Sequence, residues 1–369
     1  MRLLVLVLLV SIAVVAIGAE KLTLRYYYDK NDEELSLQDV KFLSKQRAVA
    51  LGVLNKDDKA SGVQLATNDG GASWTMEPLK DVPRTMFFLD DSLGWMVTQG
   101  GIWRSEEAGR SWKKIKSQKN VLDIHFLNAD RGFAVGAPKL VLETKDGGKN
   151  WAPVEEATKP ETKPENSVYS VVSFADPKVG IIAGYSMPPR REDRERNLPD
   201  WMEPEQAKRR GQRPTVLLDM ETRDGGETWK ADSSSIFGRP SQLILAGPNR
   251  GFVVFEFDYF FPWRSEVFRF TGAGKTERVY REKGERVTDV LLQKDGTAYL
   301  AAVQTVGEIP GVPIPGRVIL LRSVSEPYTL WERIPVDYRA SARNVRLTES
   351  PDGQIWAVTD LGMILAVRK

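Results

Sequence analysis

Four segments of the chain hold carboxylates and hydroxyls at a spacing that could do chemistry. They are 67–74, 105–112, 144–151 and 222–229, and their common form is Ser/Thr-x-Asp-x-Gly-x-Ser/Thr-Trp. An aspartate between two hydroxyls could act as a general acid or base. The same residues also make a rigid turn. Aspartate accepts backbone N–H groups across a tight bend, the hydroxyls bond to the turn backbone, and glycine takes positive φ without steric cost. The closing tryptophan then lays a large apolar face on its neighbours. A phrase that recurs four times favours the turn. Asp69, Asp146 and Asp224, with Gly71, Gly109, Gly148 and Gly226 and with Trp74, Trp112, Trp151 and Trp229, are therefore read as hairpin scaffold. The second copy has Glu107 in place of Asp, and the third has Asn150 in place of Ser or Thr.

Other chemistry is sparse. Gly272-Ala273-Gly274-Lys275-Thr276 imitates the end of a phosphate-binding loop. That motif needs a glycine five residues before Gly274, where Arg269 stands, and a following helix, where 278–280 continues a strand. The single histidine, His125, alternates with Ile124 and Phe126 and suits a packed strand position. With one histidine and no cysteine there is no thiol nucleophile, no disulfide, no cysteine-ligated metal and no multi-histidine metal site. No catalytic residue, metal or small-molecule cofactor is expected.

Composition agrees. Of 369 residues, 41% are hydrophobic and 28% charged, as in a globular protein with a sizeable core. The 52 basic and 50 acidic residues nearly cancel, so nothing in the bulk charge points to nucleic acid. Arg2, the apolar run 3–17 and the small residues of 16–19 form a signal-peptide pattern, with cleavage after Gly18 or Ala19. The expected organisation is a signal peptide over 1–19 and one domain over 20–369, exported to a periplasm or secreted. The alternative is an uncleaved segment that keeps the protein at the membrane. No cysteine follows the leader to carry a lipid.

Trp74 to Trp112 is 38 residues and Trp112 to Trp151 is 39, close to the roughly 40–45 residues of a four-stranded propeller blade. Before each phrase stand two short β-rich runs, such as 84–88 with 94–97 and 121–126 with 132–136. Each unit reads strand a, strand b, strand c, phrase, strand d. Three further units with eroded phrases follow, beginning near 243–245, 290–292 and 345–347. The last ends at strand c (363–368), while 21–28 is a strand with no unit of its own. The expected fold is all-β, a single seven-bladed propeller whose N-terminal strand completes the last blade and leaves no free seam.

In that frame the phrases share the c–d face, and the long insertions fall between strands b and c on the other face. The largest is a charged insert, 186–214, with a possible short helix over 203–211; it contains Arg190, Arg191 and Trp201. The next are 258–264 and 305–317, and 55–62 is a smaller one. The segment Tyr259-Phe260-Phe261-Pro262-Trp263-Arg264 is aromatic for a loop, and aromatics with arginine are common interface anchors. Packing of those rings against the blade edge is the competing reading. The segment 307–316, rich in Pro and Gly, is expected to be extended and poor in ladder bonds. Candidate partner-binding residues are thus Tyr259, Phe260, Phe261, Trp263, Arg264, Trp201, Arg190 and Arg191.

The run 84–151 resembles the photosystem II stability/assembly factor family of exported Asp-box propellers. The resemblance is carried by Phe88, Gly94-Trp95, Val97, Ile124, Phe126, the segment 132–136 and the segment 143–151; it renews at 168–184 and 221–229. It implies a non-enzymatic scaffold that binds a protein partner, including a membrane protein or its assembly intermediate; the protein is expected to be a monomer. The alternative is a carbohydrate-binding or sialidase-like propeller, since sialidases also carry Asp boxes. That reading needs three arginines converging on a carboxylate, for which Arg84, Arg239, Arg269 and Arg343 are candidates. The only Arg-Ile-Pro, 333–335, reads as a strand d rather than the segment ahead of a first Asp box.

Overall fold

The structure is a computed structural model; it describes residues 20–187, 209, 211–247, 249–272, 275–309 and 312–368. Seven four-stranded antiparallel blades form a ring. The first is Glu33–Phe42, Ala48–Lys56, Lys59–Thr67 and Thr75–Pro78. The second is Pro83–Phe88, Gly94–Thr98, Gly101–Ser105 and Lys113–Lys116, and the third Val121–Phe126, Gly132–Gly136, Leu140–Thr144 and Ala152–Pro153. The fourth is Ser167–Phe174, Gly180–Ser186, Thr215–Thr222 and Lys230–Ile236; the fifth Arg239–Gly247, Arg250–Glu256, Ser265–Gly272 and Lys275–Tyr280. The sixth is Glu285–Leu292, Ala298–Gln304, Gly316–Ser323 and Trp331–Ile334. The seventh takes Val345–Glu349, Ile355–Thr359 and Met363–Arg368 from the end of the chain and Lys21–Tyr27 from its start. The register runs from Lys21 opposite Arg368 to Tyr27 opposite Met363, so the expected closure is observed. Leu22 is fully buried there, and its N–H bonds the Pro335 carbonyl at 2.8 Å, tying the closing strand to blade six as well.

The turn phrases are scaffold. Thr67 Oγ1 accepts the Gly71 N–H at 2.9 Å and donates to Asp69 at 2.7 Å, and Asp69 accepts the Ser73 N–H at 2.9 Å. The third and fourth copies repeat this at Thr144/Asp146/Gly148 and Thr222/Asp224/Gly226. In the second, Ser105 still accepts the Gly109 N–H at 3.0 Å, while Glu107 only takes the Ser111 hydroxyl. Hydrogen bonds from Ser73 and Thr228 hold Asp69 and Asp224 ionised, down to about 2, which is unsuited to proton transfer near neutral pH. Each glycine lies on the preceding blade. A Cβ on Gly71 would stand 2.2 Å from the Trp356 ring of blade seven, and one on Gly226 would stand 2.3 Å from Phe133 of blade three. In blade six, where the phrase has decayed, the Tyr328 ring packs on Phe252 of blade five at 4.9 Å.

A second repeated device lies at the axis. Asp39, Asp123 and Asp289 each follow a bulge in an inner strand. Each accepts the N–H of its own next residue and one from the inner strand of the next blade: Met86 at 3.0 Å, Val172 at 3.0 Å and Leu347 at 2.7 Å. The bulge re-aims the side chain across the blade boundary. Lys41 stands 3.3 Å from Asp39, and Arg346 stands 3.9 Å from Asp289. His125 is packed between Phe87 and Phe174, with ring centres 4.6 and 5.3 Å away, and burial pushes it down to about 4.

Two loop expectations are corrected. The segment 55–62 is no insertion: strands b and c of blade one continue into a two-residue turn in which Asp57 and Asp58 both have positive φ. Such a turn matches the twist of a hairpin. The segment 307–316 does form ladder bonds, pairing Glu308–Ile309 with Val312–Pro313.

Candidate functional site

The face formed by the b–c and d–a loops carries two adjoining clefts. The first, about 310 Å³, lies between blades four and five and is lined by Arg213, Arg239, Asp258, Phe260 and Phe261 among others. The second, about 350 Å³, lies between blades five and six and is lined by Arg239, Arg264, Arg286, Arg343, Tyr259 and Ile314 among others. Arg239, Glu256, Asp258 and Phe260 border both, so they form one continuous depression.

Arg239 begins the inner strand of blade five and Arg286 is the second residue of that of blade six, so the propeller geometry aims both at this mouth. Arg286 donates to Glu256 at 2.9 Å, to Asn344 at 3.2 Å and to the Arg343 carbonyl. Arg239 lies 3.8 Å from Asp258, and Arg343 lies 3.6 Å from Asp360. Across the two clefts five arginines (213, 239, 264, 286, 343) line the walls with two carboxylates (256, 258), and Asp360 beside Arg343 is a third, which leaves a local excess of positive charge in a nearly neutral chain. A guanidinium presents several donors in a planar fork, which suits carboxylate recognition.

The aromatic loop divides. Tyr259 is 59% exposed and packs against Phe260, with ring centres 3.9 Å apart and the planes tilted by 34°. Phe260 receives the returning end of the blade-four insert: Gln212 donates to its carbonyl at 2.8 Å, and Gly211 lies against its ring. Phe261 packs on Phe257 at 5.2 Å and on Phe237, itself 50% exposed, at 5.6 Å. Trp263 is turned inward, against Phe257 and under the Arg281 guanidinium at 4.2 Å. Arg264 accepts the Phe257 N–H through its carbonyl at 2.9 Å, closing the loop. The structure thus brings Tyr259, Phe260, Phe261 and Arg264 to the clefts and places Trp263 beneath them. Arg190, Arg191 and Trp201 lie outside the described residues, as does most of 203–211.

Sequence reasoning named Arg239 and Arg343 only for a different chemistry and missed Arg286 and Glu256. The available signal was register: Arg84, Arg239 and Arg286 occupy the first or second position of inner strands. Arg269 does not join them. It lies in the third strand of blade five, 2.6 Å from Glu277 on the fourth. Among the described residues no group of three or more side chains could hold a metal ion.

The chain is similar to known proteins in part of its sequence and in its fold. A family model described as Photosynthesis system II assembly factor YCF48 matches residues 105–187. The photosystem II assembly lipoprotein Ycf48 of Prochlorococcus marinus (strain MIT 9312) is 43% identical over 42 residues, 11% of this chain and 12% of that protein. The corresponding protein of Synechococcus sp. (strain RCC307) is 46% identical over 39 residues, again 11% and 12% of the two chains. The match thus spans only about an eighth of these relatives' length. In three dimensions, YCF48 from Cyanidioschyzon merolae superposes with a TM-score of 0.59 at 17% identity, covering 95% of this chain and 98% of that one. YCF48 bound to D1 peptide gives 0.57 at 14% identity, covering 93% and 99%. The likeness in structure speaks for the fold, and the shared repeats in sequence speak for the kind of propeller. This chain is a seven-bladed β-propeller similar to the photosystem II assembly factors.

Proposed function

We propose that this protein is an exported, non-catalytic propeller that holds an extended, acidic segment of a protein partner across the clefts of blades four to six. The observation that carries the reading is the excess of arginine beside exposed aromatic rings on one face of a rigid ring. Loops on a fixed scaffold are where recognition ordinarily sits. Aromatic anchors would supply burial, and the guanidinium groups would pair with carboxylates. A solved relative described as bound to D1 peptide supports a peptide-sized ligand. A membrane-protein assembly intermediate fits the same reading, because the apolar leader would bring the protein to the export route. The turn phrases face the opposite side, and their aspartates are spent on hairpins.

The experiment is crosslinking in cells from a photoreactive residue at Tyr259, with a second at Lys149 on the Asp-box face as the control. The expected result is one protein product from position 259, lost in an Arg239→Glu, Phe260→Ala variant that still melts cooperatively. Equal capture from both positions would overturn the site.

A further inference from the structure

We propose that the outer strand of blade four, Lys230–Ile236, is the contact surface for a second copy of this chain, paired antiparallel about Ser233 to form one eight-stranded sheet. The strand pairs with Thr215–Thr222 along its whole length, and among the described residues its other edge pairs with no strand, although the 3-10 turn Glu155–Thr158 lies near it. It is seven residues long and holds no proline, and Asp232, Ser233, Ser234 and Ser235 are exposed.

The six other outer strands are protected in ways this one is not. Thr75–Pro78 and Ala152–Pro153 are short and end in proline, Lys113–Lys116 is three-quarters lysine, and Trp331–Ile334 is only four residues. Lys275–Tyr280 is charged and has broken register, and Lys21–Tyr27 is flanked by a parallel bridge to Val336. Short, charged or proline-bearing edges resist pairing with another chain; a long regular one invites it.

The direction of the backbone groups selects the register. The Ile236 carbonyl faces inward, 3.4 Å from the Thr215 hydroxyl, which donates to the Gly238 carbonyl. The Ser233 N–H is held only by its neighbour Asp232, at 2.8 Å. Backbone groups alternate along a strand, so residues 231, 233 and 235 present theirs outward. A two-fold axis at Ser233 sets Ser233 opposite itself, Ala231 opposite Ser235, Asp232 opposite Ser234 and Lys230 opposite Ile236. No like charges stand directly opposite, and no large side chain meets another at the centre. Beyond the strand, the half-exposed ring of Phe237 continues past Ile236 and covers the stem of Lys230 on the other copy. Because the strands run antiparallel, the arginine clefts of the two copies open in opposite directions.

Light scattering during size exclusion, over a series of loading concentrations, tests this. The mass should climb from one chain toward two. Ser233→Pro removes an outward N–H and leaves the ladder to Thr215–Thr222 intact, so it should stay at one chain with an unchanged melt; Ser235→Lys serves if the proline variant does not fold. The chain has no cysteine, so Ser233→Cys supplies a unique thiol. Mild oxidation should link it into a covalent dimer, while Lys113→Cys on blade two should remain unlinked. A wild type that stays at one chain at every concentration would overturn the proposal. So would a dimer that persists in the edge variants and does not crosslink at 233.

Discussion

Asp123 accepts the backbone N–H of Val172 at 3.0 Å, a bond that crosses from the inner strand of blade three to that of blade four. Its surroundings push the carboxyl up to about 6, chiefly by burial, against the help of the Val172 and Ile124 N–H groups. The raised value fixes the sign. The folded state binds this proton more readily than the unfolded chain, so the contribution to stability is full below about pH 4 and is lost as pH rises through 6. Two units bound the effect at about 3 kcal/mol, and the partial exposure of Asp123 reduces it. The melting temperature of Asp123→Asn should therefore change less between pH 4 and pH 7 than that of the wild type. Parallel curves for the two proteins would show that this carboxyl does not titrate in that window.

Gly71 joins the first blade to the seventh. With φ of +86° and the Trp356 ring where a Cβ would go, Gly71→Ala carries both a left-handed backbone penalty and a clash. A loss of roughly 2–4 kcal/mol in urea unfolding is expected. Gly284→Ala, also at positive φ but with nothing near the added methyl, should cost less. Equal losses would mean that contact with the neighbouring blade is immaterial.

Closure by Leu22 gives a third test. It is fully buried in the cluster that includes Leu347, Ile355 and Leu365. Leu22→Ala should cost about 2–5 kcal/mol, and hydrogen exchange should rise first in 363–368, the partner strand. Protection lost first in another blade would contradict a seam held by this strand.

The arginine clefts predict salt dependence for the proposed partner. Capture should weaken between 50 mM and 500 mM salt, because exposed charges are screened over about a Debye length. Arg286→Gln should weaken capture and flatten that dependence. It should also loosen the loop at Arg343 and Asn344, which Arg286 holds. A salt-independent complex would move the weight of recognition to Phe260 and Phe261.

Much of the architecture was legible because it repeats. The phrases at 67–74, 144–151 and 222–229 use local bonds between residues two to four apart, so their geometry follows from the sequence alone. The orphan strand at 21–28 and the unpaired one at 363–368 likewise determined ring closure, since each needs a partner. What only the tertiary structure decided depends on residues far apart in the chain. The role of Asp123 rests on Val172, that of Gly71 on Trp356, and the clefts on Arg239, Arg286 and Arg343 meeting Glu256 and Asp258. Local propensity determines a hairpin. Which side chains share a mouth depends on the angle between successive blades and on bulges in the inner strands, and those are set by packing across the whole ring.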